Sequence, residues 1–304
     1  MFDFIKYLPT EFEWRFNDNY CVPRGPSFAR ARRITLHIAG NQLGVKAPRH
    51  SPRRSTVEQV RVLPGHDLLE DRKLSHFSSA SMPNDHWGYA VPLVRRWGFW
   101  GPWMSGCKAE LAMSITVIGR QPEHAFRDIS FFHPRAFEMV LVQYLNDSYG
   151  HRRWGDEGPD ALIPRRHGPA DWQRHNHLPV FSASCKIYNQ GPDPDITNNL
   201  SYPDHLFLFP IADQYFVQVT FVQHLYSLDE RGKLAFDPSP VQALQDAIFN
   251  SISLELSPES QASYNKVKAE VGDMQLTPTF APLKWPVGTE EVAGEQRNSR
   301  LIER

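Results

Sequence analysis

The segment Trp97-Gly98-Phe99-Trp100-Gly101-Pro102-Trp103, followed closely by Ala109-Glu110-Leu111-Ala112-Met113-Ser114-Ile115-Thr116-Val117-Ile118, decides how this chain is read. In the second part Ala109, Leu111, Met113, Ile115 and Val117 alternate with Glu110, Ala112, Ser114 and Thr116, the period of a half-buried antiparallel strand. Further on, residues 134–148 space Phe137, Val140, Leu141, Tyr144, Leu145 and Ser148 so that one apolar stripe lies along a helix. Pro134 suits the first helical turn, where a missing N–H costs nothing, and Gly150 offers a left-handed stop. The Trp-rich opening cannot be a regular helix, because Gly98, Gly101 and Pro102 interrupt it. It reads as an ordered loop or bulged strand whose indoles serve first as core area and second as a recognition platform.

Upstream, residues 1–28 are aromatic, irregular and interrupted by Pro9, Pro23 and Pro26, which suits a segment draped over a surface. Ile34, Leu36 and Ile38 alternate with Thr35 and His37, and Gly40-Asn41 precede Leu43 and Val45, so a hairpin is expected. A basic loop covers 46–54, a strand 57–63, and residues 66–96 read as loop with one short helix near 67–74. Downstream, residues 150–179 lack periodicity and carry four histidines, two tryptophans and several arginines, the composition of a linker or capping loop. Phe181, Ala183, Cys185 and Ile187 restart a strand that the turn 191–195 ends. Residues 205–211 and 215–222 form a second hairpin across Ala212-Asp213, with Tyr215, Val217, Val219 and Phe221 on one face. Ser239 and Pro240 open a helix with Val241, Leu244, Ile248 and Ile252 inward, and Ser257-Pro258-Glu259 open another that ends near Gly272.

These elements predict an α+β protein of two lobes, each a mainly antiparallel sheet with an amphipathic helix on one face. The N-terminal lobe spans 1–150, a Pro/His/Arg/Trp-rich linker or cap 151–178, the C-terminal lobe 179–286 and a frayed tail 287–304. The matching entries Phe132-His133-Pro134 and Phe236-Asp237-Pro238 into helices suggest a duplicated unit, on few residues.

Composition sets outer bounds. The chain has 304 residues, 41% hydrophobic and 22% charged, with 25 prolines, the profile of a folded protein rich in ordered loops. No apolar run reaches the ~20 residues of a membrane span, and the first residues lack a leader's basic and apolar blocks, so a cytoplasmic location is expected. Cys21, Cys107 and Cys185 are too few and scattered for a disulfide framework. The net charge of −1 conceals an asymmetry: through Val180 there are 24 Lys and Arg against 18 Asp and Glu, net +6, and beyond it 9 against 16, net −7. Arginine dominates the basic part, in pairs such as Arg53-Arg54, Arg95-Arg96, Arg152-Arg153 and Arg165-Arg166, and its planar fork suits carboxylates, phosphates and aromatic faces. Internal ion pairing with the acidic part is the plainer use of the same charges.

Tests for chemistry mostly exclude. Ser105 has one flanking glycine and no following helix, so it makes a poor nucleophile elbow. Cys107 as a nucleophile requires a histidine near in space. His167, Asp171, His175 and His177 match no zinc spacing, and a Pro-rich loop gives ligands little support, so no metal or other cofactor is expected. Phosphate-binding glycine motifs are absent. Interleaved Arg and Trp would suit nucleic acid, but the pI of about 6.9 and the lack of a reading helix weigh against it. By elimination the expected function is non-catalytic protein binding through Trp97, Trp100, Trp103, Arg95 and Arg96, with an acidic protein as partner and no membrane. An inhibitor, a toxin-neutralising immunity protein or a secretion adaptor would fit. The rival is a hydrolase using Cys107 or Ser105 with a histidine from 151–177.

Overall fold

The computed structural model describes residues 20–54, 59–60, 67–69, 87–102, 105–120, 128–150, 165–189, 203–226 and 233–280, the pair 59–60 by backbone alone. Trp103, the turn at 191–195, the tail 287–304 and most of the expected strand 57–63 and helix 67–74 lie outside them, as do 1–19 and 151–164. Within them the fold is α+β, with two antiparallel sheets.

Local chemistry fixes the first hairpin. β1 (Arg32–Ile38) and β2 (Asn41–Ala47) pair from Arg32↔Ala47 to Ile38↔Asn41. The turn residues are Ala39 and Gly40, at φ 53° and 75°, the left-handed pair that follows the twist of a two-residue loop. The turn therefore lies one residue earlier than Gly40-Asn41. Asp67 steadies it by accepting from the amides of Ala39 and Gly40.

The large sheet contains β3 (Gln59–Val60), β4 (Trp87–Trp100), β5 (Cys107–Arg120), β6 (Arg166–His175), β7 (Ser182–Asn189), β8 (Asp204–Ala212) and β9 (Tyr215–Leu225). Its order is β3-β4-β5-β9-β8-β7-β6, and β10 (Ser253–Glu255) joins β2 to make a smaller sheet, β1-β2-β10. The strands expected at 109–118, 181–187, 205–211 and 215–222 are all present. Two others correct the sequence reading. β4 begins at Trp87 inside the expected loop 66–96; its alternation is broken there because Pro92 cannot donate to a ladder and the register shifts between Ala90 and Leu93 around it. β6 occupies part of the expected linker; it is an edge strand containing Pro169, with register shifts on both sides of Ala170, so it shows no period of two.

The expected division into lobes does not divide this sheet. β5, from the basic part, pairs with β9, from the acidic part, continuously from Ala109↔Leu225 to Gly119↔Tyr215. Residues from both parts therefore share each of two cores, one on either side of the sheet. On one side Leu111, Met113, Ile115, Val117, Phe207, Phe209, Val217, Val219 and Phe221 pack against the small sheet and the later helices. On the other, Ile118, Phe181, Cys185, Leu206, Leu208 and Phe216 pack against the first helix.

That first helix, α1 (Pro134–Leu145), buries Phe137, Val140, Leu141, Tyr144 and Leu145, and His133 Nδ1 caps it by accepting from the amides of Arg135 and Ala136. It passes into a wider π-type turn, Asn146–Gly150, so Gly150 closes the helix without a positive φ, contrary to the left-handed stop expected. α2 (Ser239–Phe249) turns Val241, Leu244 and Ile248 inward on the opposite side of the sheet. Its first amide, on Ser239, is capped by Asp237 Oδ1 at 2.9 Å, so Ser239 receives a cap instead of supplying one. α3 (Pro258–Val271) starts and stops as expected, with Ser257 Oγ accepting from the Ser260 amide and Gly272 at φ 75°.

Candidate functional site

Strand geometry separates the five residues that the sequence brings forward. Successive side chains of β4 point to opposite faces, so Arg95 and Trp97 lie on one side and Arg96 on the other. Trp97 is fully buried, with its indole N–H donating to the Pro48 carbonyl at 3.3 Å. Arg95 is turned to the same region and donates to the carbonyls of Ala47 and Pro48. Trp97 therefore lies in the core, while Arg95 is half-buried at its edge. Arg96 and the partly exposed Trp100 remain on the other face.

That face is shaped by one glycine. On β5 Glu110 stands between Gly98 of β4 and His224 of β9. Because Gly98 has no side chain, residues 51–53 come against β4: Gly98 donates its amide to the Ser51 carbonyl at 2.7 Å, and Ser51 donates to the Arg96 carbonyl at 2.9 Å. A Cβ on Gly98 would stand 3.0 Å from Trp100 Nε1 and 3.4 Å from the Arg53 nitrogen. The approach brings the Arg53 amide to Glu110 Oε2 at 2.7 Å, while Arg96, diagonally across the strands, donates to Oε1 at 3.1 Å. Glu110 is thereby 4% exposed, although it sits on the polar side of its strand.

Around this buried carboxylate Arg53, Arg54, Arg96, Glu110 and Tyr226 line a surface cleft of about 290 Å³. The Arg53 guanidinium lies 4.3 Å from the centre of the Tyr226 ring, a cation–π contact that holds it at the wall. His224 stacks beside Tyr226; burial pushes its pKa down, as does Arg96, with Glu110 pulling the other way. Sequence reading missed Arg53, Arg54, Glu110 and Tyr226 as a set. The Arg53-Arg54 pair was its visible trace. A wider concavity of about 530 Å³ lies on the β6 edge, lined by Gln173, Arg174, Asn176 and Gln275. There Arg174 donates to the Leu276 carbonyl.

The other singled-out residues take structural places. His175 and His177 pack with Phe207 and Phe249, His177 stacked on Phe207 at 5.3 Å and His175 edge-on to Phe249 at 5.1 Å. His175 Nε2 lies 2.8 Å from Ser184 Oγ, and Asp171 is turned to Lys186 Nζ at 2.7 Å. Among the described residues no group of three or more His, Cys, Asp or Glu is placed to hold a metal ion. Cys107 donates its S–H to the Ala109 carbonyl, and burial raises its pKa, which keeps it a thiol. Ser105 Oγ donates to the Pro102 carbonyl at 2.7 Å. β9, β8 and β7 separate β5 from β6, so four strand spacings, about 19 Å, keep Cys107 from His167 and His175.

Burial lowers the pKa of both His175 and His177, and each of these histidines therefore binds a proton more readily in the unfolded chain. Where the unfolded state binds more protons, stability rises with pH. Their contribution is complete above the ordinary histidine value of 6.5 and is lost as pH falls below it towards the depressed folded values. The melting temperature should thus drop on acidification through this window, and less steeply in His175→Phe/His177→Phe. An equally steep profile in that variant would show that these two rings do not titrate with folding.

Comparison with protein-family models, curated proteins and solved structures finds no match to the chain.

Proposed function

We propose that the protein is a non-catalytic binding protein, located in the cytoplasm, that recognises an acidic protein through the β4–β5 face carrying Arg96 and Trp100. The observation that carries this reading is the cleft in which the side chains of Arg53, Arg54 and Arg96 meet at the surface. Arginine and tryptophan are the residue types that most often anchor protein interfaces. Glu110, paired with Arg96 and the Arg53 amide, offsets one of these three charges, so the cleft keeps an excess of positive charge. Among the described residues, the ion pairs between the two parts, Arg33–Glu255, Arg166–Asp204 and Lys186–Asp171, involve none of these arginines. Inhibitors, immunity proteins and secretion adaptors all work by such contacts, and the face favours none of them over the others.

Catalysis by Cys107 or Ser105 has less support, because no described histidine from β6 comes within reach of either. An extended nucleic-acid track has less support too, since the cleft gathers three arginines at one point of the surface. No helix among the described residues is long and apolar enough to cross a membrane.

The test is kinetic. A partner retained from the native host on immobilised protein is identified, and its association rate is measured across a salt series. Steering between exposed charges is screened over about 8 Å at physiological ionic strength, so the on-rate should fall by about tenfold or more from low to high salt. Arg96→Ala should lower it at low salt, and Trp100→Ala should speed dissociation. Salt-independent association, or a folded Trp100→Ala/Arg96→Ala protein that binds normally, would remove this face from the interface.

A further inference from the structure

We propose that the cleft between residues 51–54 and β4 is a site for a phosphate-monoester dianion, presented by a phosphorylated side chain of the partner. The proposal rests on the reading of this face as a protein-recognition surface and names the group that the surface takes.

Three features select phosphate. The first is charge: three guanidinium groups and one carboxylate give the cleft a net charge of +2, which a phosphate monoester of about −1.5 to −2 neutralises and a single carboxylate does not. The second is size. A cleft of about 290 Å³ has room for a phosphate with its side-chain stem.

The third is preorganisation. Arginine carries five N–H donors in a rigid fork. Arg96 commits NH1 to Glu110 at 3.1 Å and keeps donors at the cleft, while Arg53 rests its guanidinium 4.3 Å from the Tyr226 ring centre. Glu110 acts here as a positioning residue: one oxygen orients Arg96 and the other holds the Arg53 amide. Arg54 is exposed at the mouth and makes no ion pair with a described residue. Such forks favour phosphate oxygens through paired, charge-assisted hydrogen bonds.

Calorimetric titration of the full chain at low salt tests the site with four probes: a glycine-flanked phosphoserine peptide, its serine and glutamate counterparts, and inorganic phosphate. The phosphopeptide should bind at least about tenfold more tightly than the serine and glutamate peptides, the worth of one charge-assisted hydrogen bond. Arg53→Ala and Arg54→Ala should each weaken it about tenfold, with melting temperatures close to wild type because both side chains are exposed. Arg96→Lys, which keeps charge and loses the fork, should also weaken it. Tighter binding of the phosphopeptide than of inorganic phosphate supports a side-chain source, and equal binding of the two supports a free anion and overturns that source. Equal affinity for the phosphorylated, serine and glutamate peptides, or phosphopeptide binding indifferent to the double variant Arg53→Ala/Arg54→Ala, would overturn the site altogether. The two levels separate: salt-steered partner binding without phosphopeptide binding sinks the phosphate site alone, whereas phosphopeptide binding with a partner seated elsewhere sinks the recognition reading.

Discussion

Asn41→Ala should lower the free energy of unfolding by on the order of 4 kcal/mol, because it strands two buried carbonyls at about 1–3 kcal/mol each and breaks two partly buried hydrogen bonds besides. Asn41 is fully buried. Its Nδ2 donates to the carbonyls of Ile38, Ala39 and Ile211 at 3.1, 3.0 and 2.9 Å, and its Oδ1 accepts from the Ser257 amide at 2.8 Å. One side chain therefore ties the β1–β2 turn, the end of β8 and the entry to α3. Alanine satisfies none of these partners, and the bonds to the carbonyls of Ile38 and Ile211 lie in the buried part of the structure. Asn41→Asp keeps the acceptor for Ser257 while losing the donor, and should be destabilised as well. Urea unfolding provides the measurement; a loss below about 1 kcal/mol for Asn41→Ala would mean that the carbonyls find other donors.

The second large effect is Trp97→Ala, expected at about 4–5 kcal/mol, the upper range for removing an aromatic side chain from a core. The indole is 0% exposed and packs in the core that the large sheet shares with the small one. Its N–H bond to Pro48 also fixes the chain that leads to residues 51–53. Trp100→Ala, three residues on, should change stability far less, since its ring is on the partly exposed side. Equal losses for the two variants would contradict the alternation of β4 and with it the assignment of Trp97 to core and Trp100 to surface.

Period-two patterning was sufficient wherever a strand lies inside the sheet with one regular apolar face. It located β5, β8 and β9 because Met113, Ile115, Phe207, Phe209, Val217 and Val219 all meet the same core. It failed for the first half of β4, where the Pro92 bulge resets which residues face inward, and for β6, whose edge position imposes no alternation. Cap chemistry located α3 to the residue, because Ser257 and Gly272 act within one turn of the helix ends. Asn41 was legible as a turn residue only. Its partners Ile211 and Ser257 are 170 and 216 positions away, and no local pattern reports them.

The candidate site was half legible for the same reason. Arginine and tryptophan around 95–103 stood out by type, yet one strand cannot present consecutive residues to one surface, so of the described set only Arg96 lines the cleft, with Trp100 further along the same face. Glu110 read only as one of the residues that alternate with the apolar face of β5. What buries it is the Arg53 amide, 57 positions earlier, admitted by Gly98. The glycine that looked like a helix breaker is a point of close backbone approach, a role that only the paired strands reveal.

Hydrogen–deuterium exchange of the protein with and without its bound partner tests the central claim most directly. The account predicts that the partner slows exchange at the Arg53 and Arg54 amides and along the Arg96–Trp100 end of β4, with little change at β6. Protection confined to the β6 edge, around Gln173 and Arg174, with residues 51–54 exchanging as in the unbound protein, would contradict it.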